Sequence, residues 1–111
     1  MPKRGYLGEF ELMILLVVIR LKDEAYGVPI SKELLARTGR DVALGSVYAA
    51  LDRLEQKELV SSTLGDPTAA RGGRAKRYFR PTPKGLREAR LTRDALISLW
   101  RGMPQLAGER A

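Results

Sequence analysis

The 111-residue sequence contains no cysteine and no histidine. Disulfide frameworks, thiolate zinc sites and thiol or imidazole catalysis are therefore excluded, because each of them needs one of these two side chains. The sequence also lacks the phosphate-cradling motif GxxxxGK(S/T) and a close pair of carboxylates in an apolar surround. We accordingly expect no catalytic site, no metal site, no cofactor and no enzymatic activity.

Long apolar runs are also missing. The longest run, Leu12 to Ile19, has eight residues, whereas a helix needs about 20 apolar residues to cross a bilayer. The run lies behind Glu9 and Glu11 and is too far from Met1 to be a signal peptide. Arginine and glycine alternate in the basic part of the chain without the apolar stripe that membrane insertion needs. We therefore expect a cytoplasmic protein without a membrane partner.

Positive charge is abundant and unevenly distributed. The chain has 20 Lys and Arg against 13 Asp and Glu, a net charge of +7. Residues 66–90 alone carry eight basic and two acidic side chains. Such a concentration of charge suggests a polyanionic partner, nucleic acid above all. The structural alternative is a solvated face that only keeps the protein soluble.

The apolar pattern predicts three helices before the basic stretch. The first spans residues 8–21, and its middle is apolar on every face. Such a helix must be buried all round. Because a domain this small covers only part of it, we expect the rest to face a second subunit. The second helix spans residues 28–38, with Gly39 as a left-handed stop. The third spans residues 45–58, and its apolar residues share one face of the helical wheel: Val47, Ala50, Leu51 and Leu54.

A hairpin and a fourth helix follow. Residues 59–64 and 76–81 are rich in strand-forming side chains, and the turn-rich, basic stretch between them predicts a long hairpin tip. The last helix begins at Thr82-Pro83, a capping threonine followed by a proline in the first helical position, and continues to about Arg101. Three helices followed by a hairpin predict a winged helix-turn-helix, a mainly α fold with a small β-hairpin. We assign residues 1–81 to this DNA-binding domain and residues 82–111 to a C-terminal dimerisation helix.

DNA binding is predicted for the outer face of the third helix and for the basic wing, since a docked helix presents its free face to the major groove. The candidate DNA-binding residues are Ser46, Tyr48, Ala49, Arg53, Arg71, Arg74, Lys76 and Arg77. Alternatively, the Tyr48 ring packs beside the helix, and Arg53 pairs with Glu55 or Glu33. Because a strand alternates its faces, Lys76 and Arg77 cannot both face DNA from the same side of the wing.

Helical spacing of apolar residues on the last helix indicates a core or a dimer interface. Together with the first helix, the predicted interface residues are Leu12, Leu15, Leu16, Leu96, Leu99, Trp100 and Met103. Trp100 is the only tryptophan in the chain. Its alternative use is as a stacking platform in a ligand-binding pocket.

Three stretches in register resemble the PadR-like family of transcriptional regulators. They are AYGVPI at 25–30, GSVYAALDRLE at 45–55 followed by Leu59-Val60, and GGRAKRYFRPTPKG at 72–85. The resemblance covers about residues 6–90. The chain departs from the family at Glu58, where a glycine usually follows the recognition helix, and at Pro29 near the start of the second helix. With its single C-terminal helix, it resembles the short members of the family.

The resemblance implies a homodimeric bacterial transcriptional repressor that leaves a palindromic operator when a small molecule binds. The implied partners are double-stranded DNA, a second copy of the chain, and a small hydrophobic or aromatic effector. Two other interpretations stay open. One is an architectural or RNA-binding winged helix with little sequence preference, and the other is a protein-interaction module whose basic wing docks on an acidic partner.

Overall fold

The structure, a computed structural model, describes residues 7–65 and 76–106. Its elements follow one another in the predicted order. They are α1 (Glu9–Leu21), a short 3-10 turn (Lys22–Glu24), α2 (Gly27–Thr38), α3 (Leu44–Gln56), β1 (Val60–Leu64), β2 (Arg77–Pro81), α4 (Pro83–Trp100) and a 3-10 turn (Pro104–Leu106). Helices with a small antiparallel hairpin form a winged helix-turn-helix, so the predicted fold class is confirmed. Within the described residues, no helix is long and apolar enough to span a membrane.

The core forms where α1, α2 and α3 meet under the hairpin. The predicted inner face of α3 is confirmed, since Val47, Ala50, Leu51 and Leu54 are all wholly buried. α1 and α2 supply most of the other buried side chains, and Phe79 and Val60 close the core from the sheet. Because the inner face of α3 is docked in this way, its opposite face is left exposed.

α1 is only partly covered by its own chain. Ile14, Leu15 and Val18 are fully buried, whereas Leu16 is 48% exposed. The prediction that Leu15 lies at a dimer interface is therefore wrong, because a side chain enclosed in its own core offers no surface to a second subunit. Successive helical residues point about 100° apart, so Leu15 and Leu16 cannot both face the same way.

α3 ends at Gln56, two residues before the predicted end, and a left-handed turn at Glu58 follows it. Glu58 has φ 65°, a conformation that favours glycine. Its N–H donates to the Glu55 carbonyl at 2.9 Å, and the Leu59 N–H donates to the Leu54 carbonyl at 2.9 Å. These two bonds form a Schellman motif. Glu58 thus adopts the geometry that a glycine adopts more readily at this position.

α4 begins as predicted and is fixed against the end of α3. The Thr82 hydroxyl accepts a bond from the Gly85 N–H at 2.9 Å and donates to the Glu58 carbonyl at 2.8 Å. A Cβ on Gly85 would overlap the carbonyl oxygen of Leu59. The first turn of α4 therefore packs directly on the backbone that follows α3, and only glycine allows this approach.

The wing is attached to the rest of the domain through the outer edge of β2. β1 and β2 are antiparallel, with Val60 opposite Pro81 and Leu64 opposite Arg77. The Phe79 N–H donates to the Ala25 carbonyl at 2.8 Å, which joins the hairpin to the segment before α2. A backbone bond thus fixes the position of the wing relative to the start of α2.

Candidate nucleic-acid interface

The outer face of α3 is open along its length. Ser46, Ala49 and Arg53 are exposed, as the helical wheel predicts. They line one side of a shallow cleft of about 370 Å³, and the other side is formed by Phe10, Arg40 and Val42. The N-terminal half of a recognition helix is the part that usually reads base edges. Ser46 and Ala49 lie in this half of α3, and their contact with bases stays a prediction.

Tyr48 lies on the flank of α3 and is partly buried against the core. Its hydroxyl fills the space that a side chain at Gly27 would occupy. The ring thus packs between α3 and the first turn of α2, which was the alternative to DNA contact. Contact of its hydroxyl with DNA stays a prediction.

Arg53 is held by α1. Its Nε donates to Glu11 Oε2 at 2.7 Å, and Lys57 Nζ donates to Glu11 Oε1 at 2.7 Å. Its acidic partner is therefore Glu11, not Glu55 or Glu33 as the sequence suggested. The Glu11 side chain is only 12% exposed. Burial by itself raises the pKa of the Glu11 carboxyl, but the bonds and charges of Lys57 and Arg53 outweigh it and lower that pKa below its ordinary value.

Arg77 joins the wing to the C-terminal half of α3. Its guanidinium donates to Asp52 Oδ1 at 3.3 Å, to Glu55, and through Nε to the Ser62 hydroxyl at 3.2 Å. It also lies 4.9 Å from the centroid of the Phe79 ring. A phosphate would have to compete with two carboxylates for this side chain. These contacts join the wing to α3, and contact of Arg77 with DNA stays a prediction.

Lys76 precedes β2 and is exposed, with its Nζ 5.3 Å from the centroid of the Tyr26 ring. Lys76 thus lies beside Tyr26 while Arg77 pairs with Asp52 and Glu55, in keeping with the predicted alternation. Two other predicted wing residues, Arg71 and Arg74, lie outside the described residues. The structure describes two of the predicted basic wing residues, Lys76 and Arg77. Lys76 is the better placed of the two to meet DNA, because no carboxylate pairs with it among the described residues.

Two residues at this surface were missed by the sequence reasoning. Arg40, in the turn before α3, lies 5.2 Å from the Phe10 ring centroid and donates to Glu9 at 3.1 Å. Leu44, in the first turn of α3, is 40% exposed. The available signal for both was their position directly before or at the start of a predicted recognition helix.

A second surface is apolar and lies between α1 and α4. We call it the α1/α4 face, defined by Leu12, Leu16, Leu96 and Leu99, which line one groove. Leu99 is 69% and Trp100 61% exposed. A groove of about 870 Å³ runs between the two helices, lined by residues that include Leu12, Leu16, Leu96 and Leu99. Thr92, also in this groove, is 5% exposed, and its hydroxyl has no hydrogen-bond partner among the described residues. Four of the seven predicted interface residues therefore belong to this face, whereas Trp100 and Met103 line a separate concavity at the end of α4.

The chain is similar to known regulators in sequence and in structure. The family model of the transcriptional regulator PadR-like family matches residues 14–91. A crystal structure of a PadR family transcription regulator from hypervirulent Clostridium difficile superposes with a TM-score of 0.69, at 28% identity, over 87% of this chain and 98% of that one. A PadR family regulator from Eggerthella lenta gives a TM-score of 0.67 at 28% identity, over 88% and 85% of the two chains. An uncharacterised protein from Lysinibacillus sphaericus is 33% identical over 84 residues, which are 74% of this chain and 70% of that protein.

Proposed function

The chain belongs to the PadR-like family of transcriptional regulators, which are DNA-binding proteins rather than enzymes, and on that premise we propose that it is a homodimeric repressor of a palindromic operator. A small hydrophobic or aromatic effector releases it from DNA in the cytoplasm of a bacterium. One observation carries the proposal: α3 docks its apolar face completely and leaves Ser46, Ala49 and Arg53 exposed in a row.

In this proposal, α3 and the wing divide the work of DNA binding. The N-terminal half of α3 enters the major groove, where each base pair presents a distinct pattern of donors and acceptors. Lys76, together with Arg71 and Arg74, contacts phosphates or the adjacent minor groove. Phosphate contacts position the protein, and contacts of α3 with base edges supply the discrimination.

The α1/α4 face is the proposed dimer interface. Exposed apolar patches of this kind mark interaction sites when their residues are contiguous, and here they line one groove. A second copy seated on the groove would cover Leu16 and Leu96, which are about half exposed in the single chain. Residues 1–81 then act as the DNA-binding unit and residues 82–111 as the dimerisation unit. Two recognition helices related by a two-fold axis would read half-sites about 34 Å apart.

The proposed effector site is at the end of α4. Trp100 and Met103 line a concavity of about 410 Å³ together with Arg101, Gly102 and Pro104. An exposed indole beside a concave surface can stack on a flat aromatic molecule. Because Trp100 directly follows Leu99, which lines the α1/α4 groove, an effector bound there would alter the edge of the proposed dimer interface.

The direct test is selection of bound sequences from a random pool of DNA duplexes with the purified full chain at moderate salt. We expect a two-fold symmetric motif with half-sites one helical turn apart. Measurable binding without a motif would instead indicate an architectural or RNA-directed protein. Failure to bind any duplex would point to an acidic protein partner.

A further inference from the structure

We propose that Glu11 is a positioning residue, which holds the Arg53 guanidinium in the orientation that reads the operator. The inference rests on the proposed function, because it needs a preferred DNA sequence. It concerns a partly buried carboxylate of α1 that does not line the cleft beside α3. Its two carboxylate oxygens each hold a different cation of α3.

The carboxylate is fixed from several sides. Arg53 Nε and Lys57 Nζ each lie 2.7 Å from a separate oxygen of Glu11. The two cations are one helical turn apart on α3, and Glu11 reaches both of them from α1. Since its side chain is 12% exposed, it has little freedom to release one cation without losing the other.

Arg53 keeps most of its donors available. Within residues 7–65 and 76–106, its guanidinium makes a hydrogen bond only through Nε, although an arginine carries five N–H groups. Its side chain is 49% exposed and lines the same cleft as Ser46 and Ala49. The bond to Glu11 therefore restrains the side chain and leaves its terminal amino groups free to donate. An oriented guanidinium loses less conformational entropy when it binds a base or a phosphate.

An account based on charge alone predicts that loss of the Glu11 carboxylate strengthens operator binding, whereas positioning predicts that it weakens it. Removing this carboxylate deletes a negative charge near the DNA surface and releases Arg53 and Lys57 from their ion pairs. Simple electrostatics then predicts tighter binding to every duplex. Positioning predicts weaker binding to the operator and unchanged or stronger binding to other duplexes. The two accounts differ in the sign of the change in specificity.

The experiment compares Glu11→Gln with the wild type on the duplex recovered by selection and on a scrambled duplex of equal length and composition. Glu33→Gln is the matched control, since it removes a carboxylate that pairs with Arg37 within α2. We expect Glu11→Gln to lower the ratio of operator to scrambled affinity by about tenfold and the control to leave it within about twofold. An unchanged or raised ratio in Glu11→Gln would overturn the proposal.

One further variant, Arg53→Lys, keeps the test decisive if Glu11→Gln does not fold, and a double variant adds a second check if it does. Arg53→Lys keeps the charge and loses the planar fork, so it should lower the same ratio while the thermal midpoint stays near that of the wild type. In a protein that carries Arg53→Ala, adding Glu11→Gln should lower the ratio no further, and an additive loss would contradict positioning. If the wild type prefers no duplex, both this inference and the proposed function fail. If the wild type prefers an operator but Arg53→Lys leaves the ratio of operator to scrambled affinity unchanged, this inference alone is overturned.

Discussion

Glu58 ends α3 in a left-handed conformation that a glutamate adopts at a cost. A non-glycine residue loses about 1 kcal/mol or more there, because Cβ approaches its own carbonyl oxygen. Since its N–H and that of Leu59 already make the Schellman bonds, a glycine would keep the geometry and relieve the strain. We expect Glu58→Gly to raise the free energy of unfolding by about 1 kcal/mol in urea titrations. Glu58→Ala should give no such gain, and a destabilised Glu58→Gly protein would contradict this account.

Glu58 occupies a position that suits glycine, whereas Gly85 is a glycine that cannot be replaced without cost. The structure leaves no room for a side chain at Gly85. Its Cα faces the Leu59 carbonyl, and a methyl group would overlap that oxygen. Forcing atoms into a packed contact costs about 1–3 kcal/mol, so Gly85→Ala should lower the free energy of unfolding by about that amount. Gly45→Ala is the control, because a Cβ at Gly45 meets nothing within 4 Å. Equal effects of the two substitutions on thermal unfolding would show that the close approach is not present.

The sequence predicted which α3 side chains face outward, because a helix repeats every 3.6 residues. It did not predict their partners. Glu11 lies 42 residues from Arg53, and only the tertiary packing of α1 on α3 brings them together. The misassignment of Leu15 has a related cause. A run that is apolar on every face carries no periodic signal that separates the core side from the uncovered side.

At the scale of elements, the wing carries two kinds of basic residue. Arg77 is paired with Asp52 and Glu55, whereas Lys76 is exposed. Each phosphate that the protein neutralises contributes about −0.9 to the slope of log affinity against log salt. Lys76→Ala should therefore reduce the slope by about one unit on every duplex, and Arg71→Ala with Arg74→Ala should flatten it further. Arg77→Ala is the comparison, and its effect should fall on the thermal midpoint. If the slope of log affinity against log salt is unchanged in the Lys76 and Arg71/Arg74 variants, the wing does not contact DNA.

The element boundaries were predictable to within about two residues because their signals are local. Thr82-Pro83 caps α4 as expected, and Gly39 ends α2 in the left-handed conformation with φ 76°. The end of α3 was harder to predict. Its stop signal is a glutamate in a position where glycine is usual, so the local chemistry did not mark the turn. Alternation along β2 predicted that Lys76 and Arg77 face apart. Which of them faces α3 depends on where its acidic side chains lie.

At the scale of the whole molecule, the account depends on the α1/α4 face. Leu96 lines the groove with α1 and is 50% exposed. A charge placed there would be removed from water in a dimer, which costs several kcal/mol. We expect Leu96→Glu to sediment as a monomer at concentrations where the wild type is a dimer. Leu35→Glu is the matched control, since this exposed leucine lies on α2 and should leave the dimer intact. A Leu96→Glu protein that remains dimeric would place the interface elsewhere.

The central claim is that two copies read two half-sites from the same side of the duplex. The most direct measurement is the affinity of the full chain for its selected operator with 5 or 10 base pairs inserted between the half-sites. An insertion of 5 base pairs turns the half-sites to opposite faces, while 10 restores the face at a greater distance. We predict that the 5-base-pair insertion reduces affinity to that of a single half-site. Equal affinity for the original and the 5-base-pair operator would contradict a two-fold symmetric dimer on DNA.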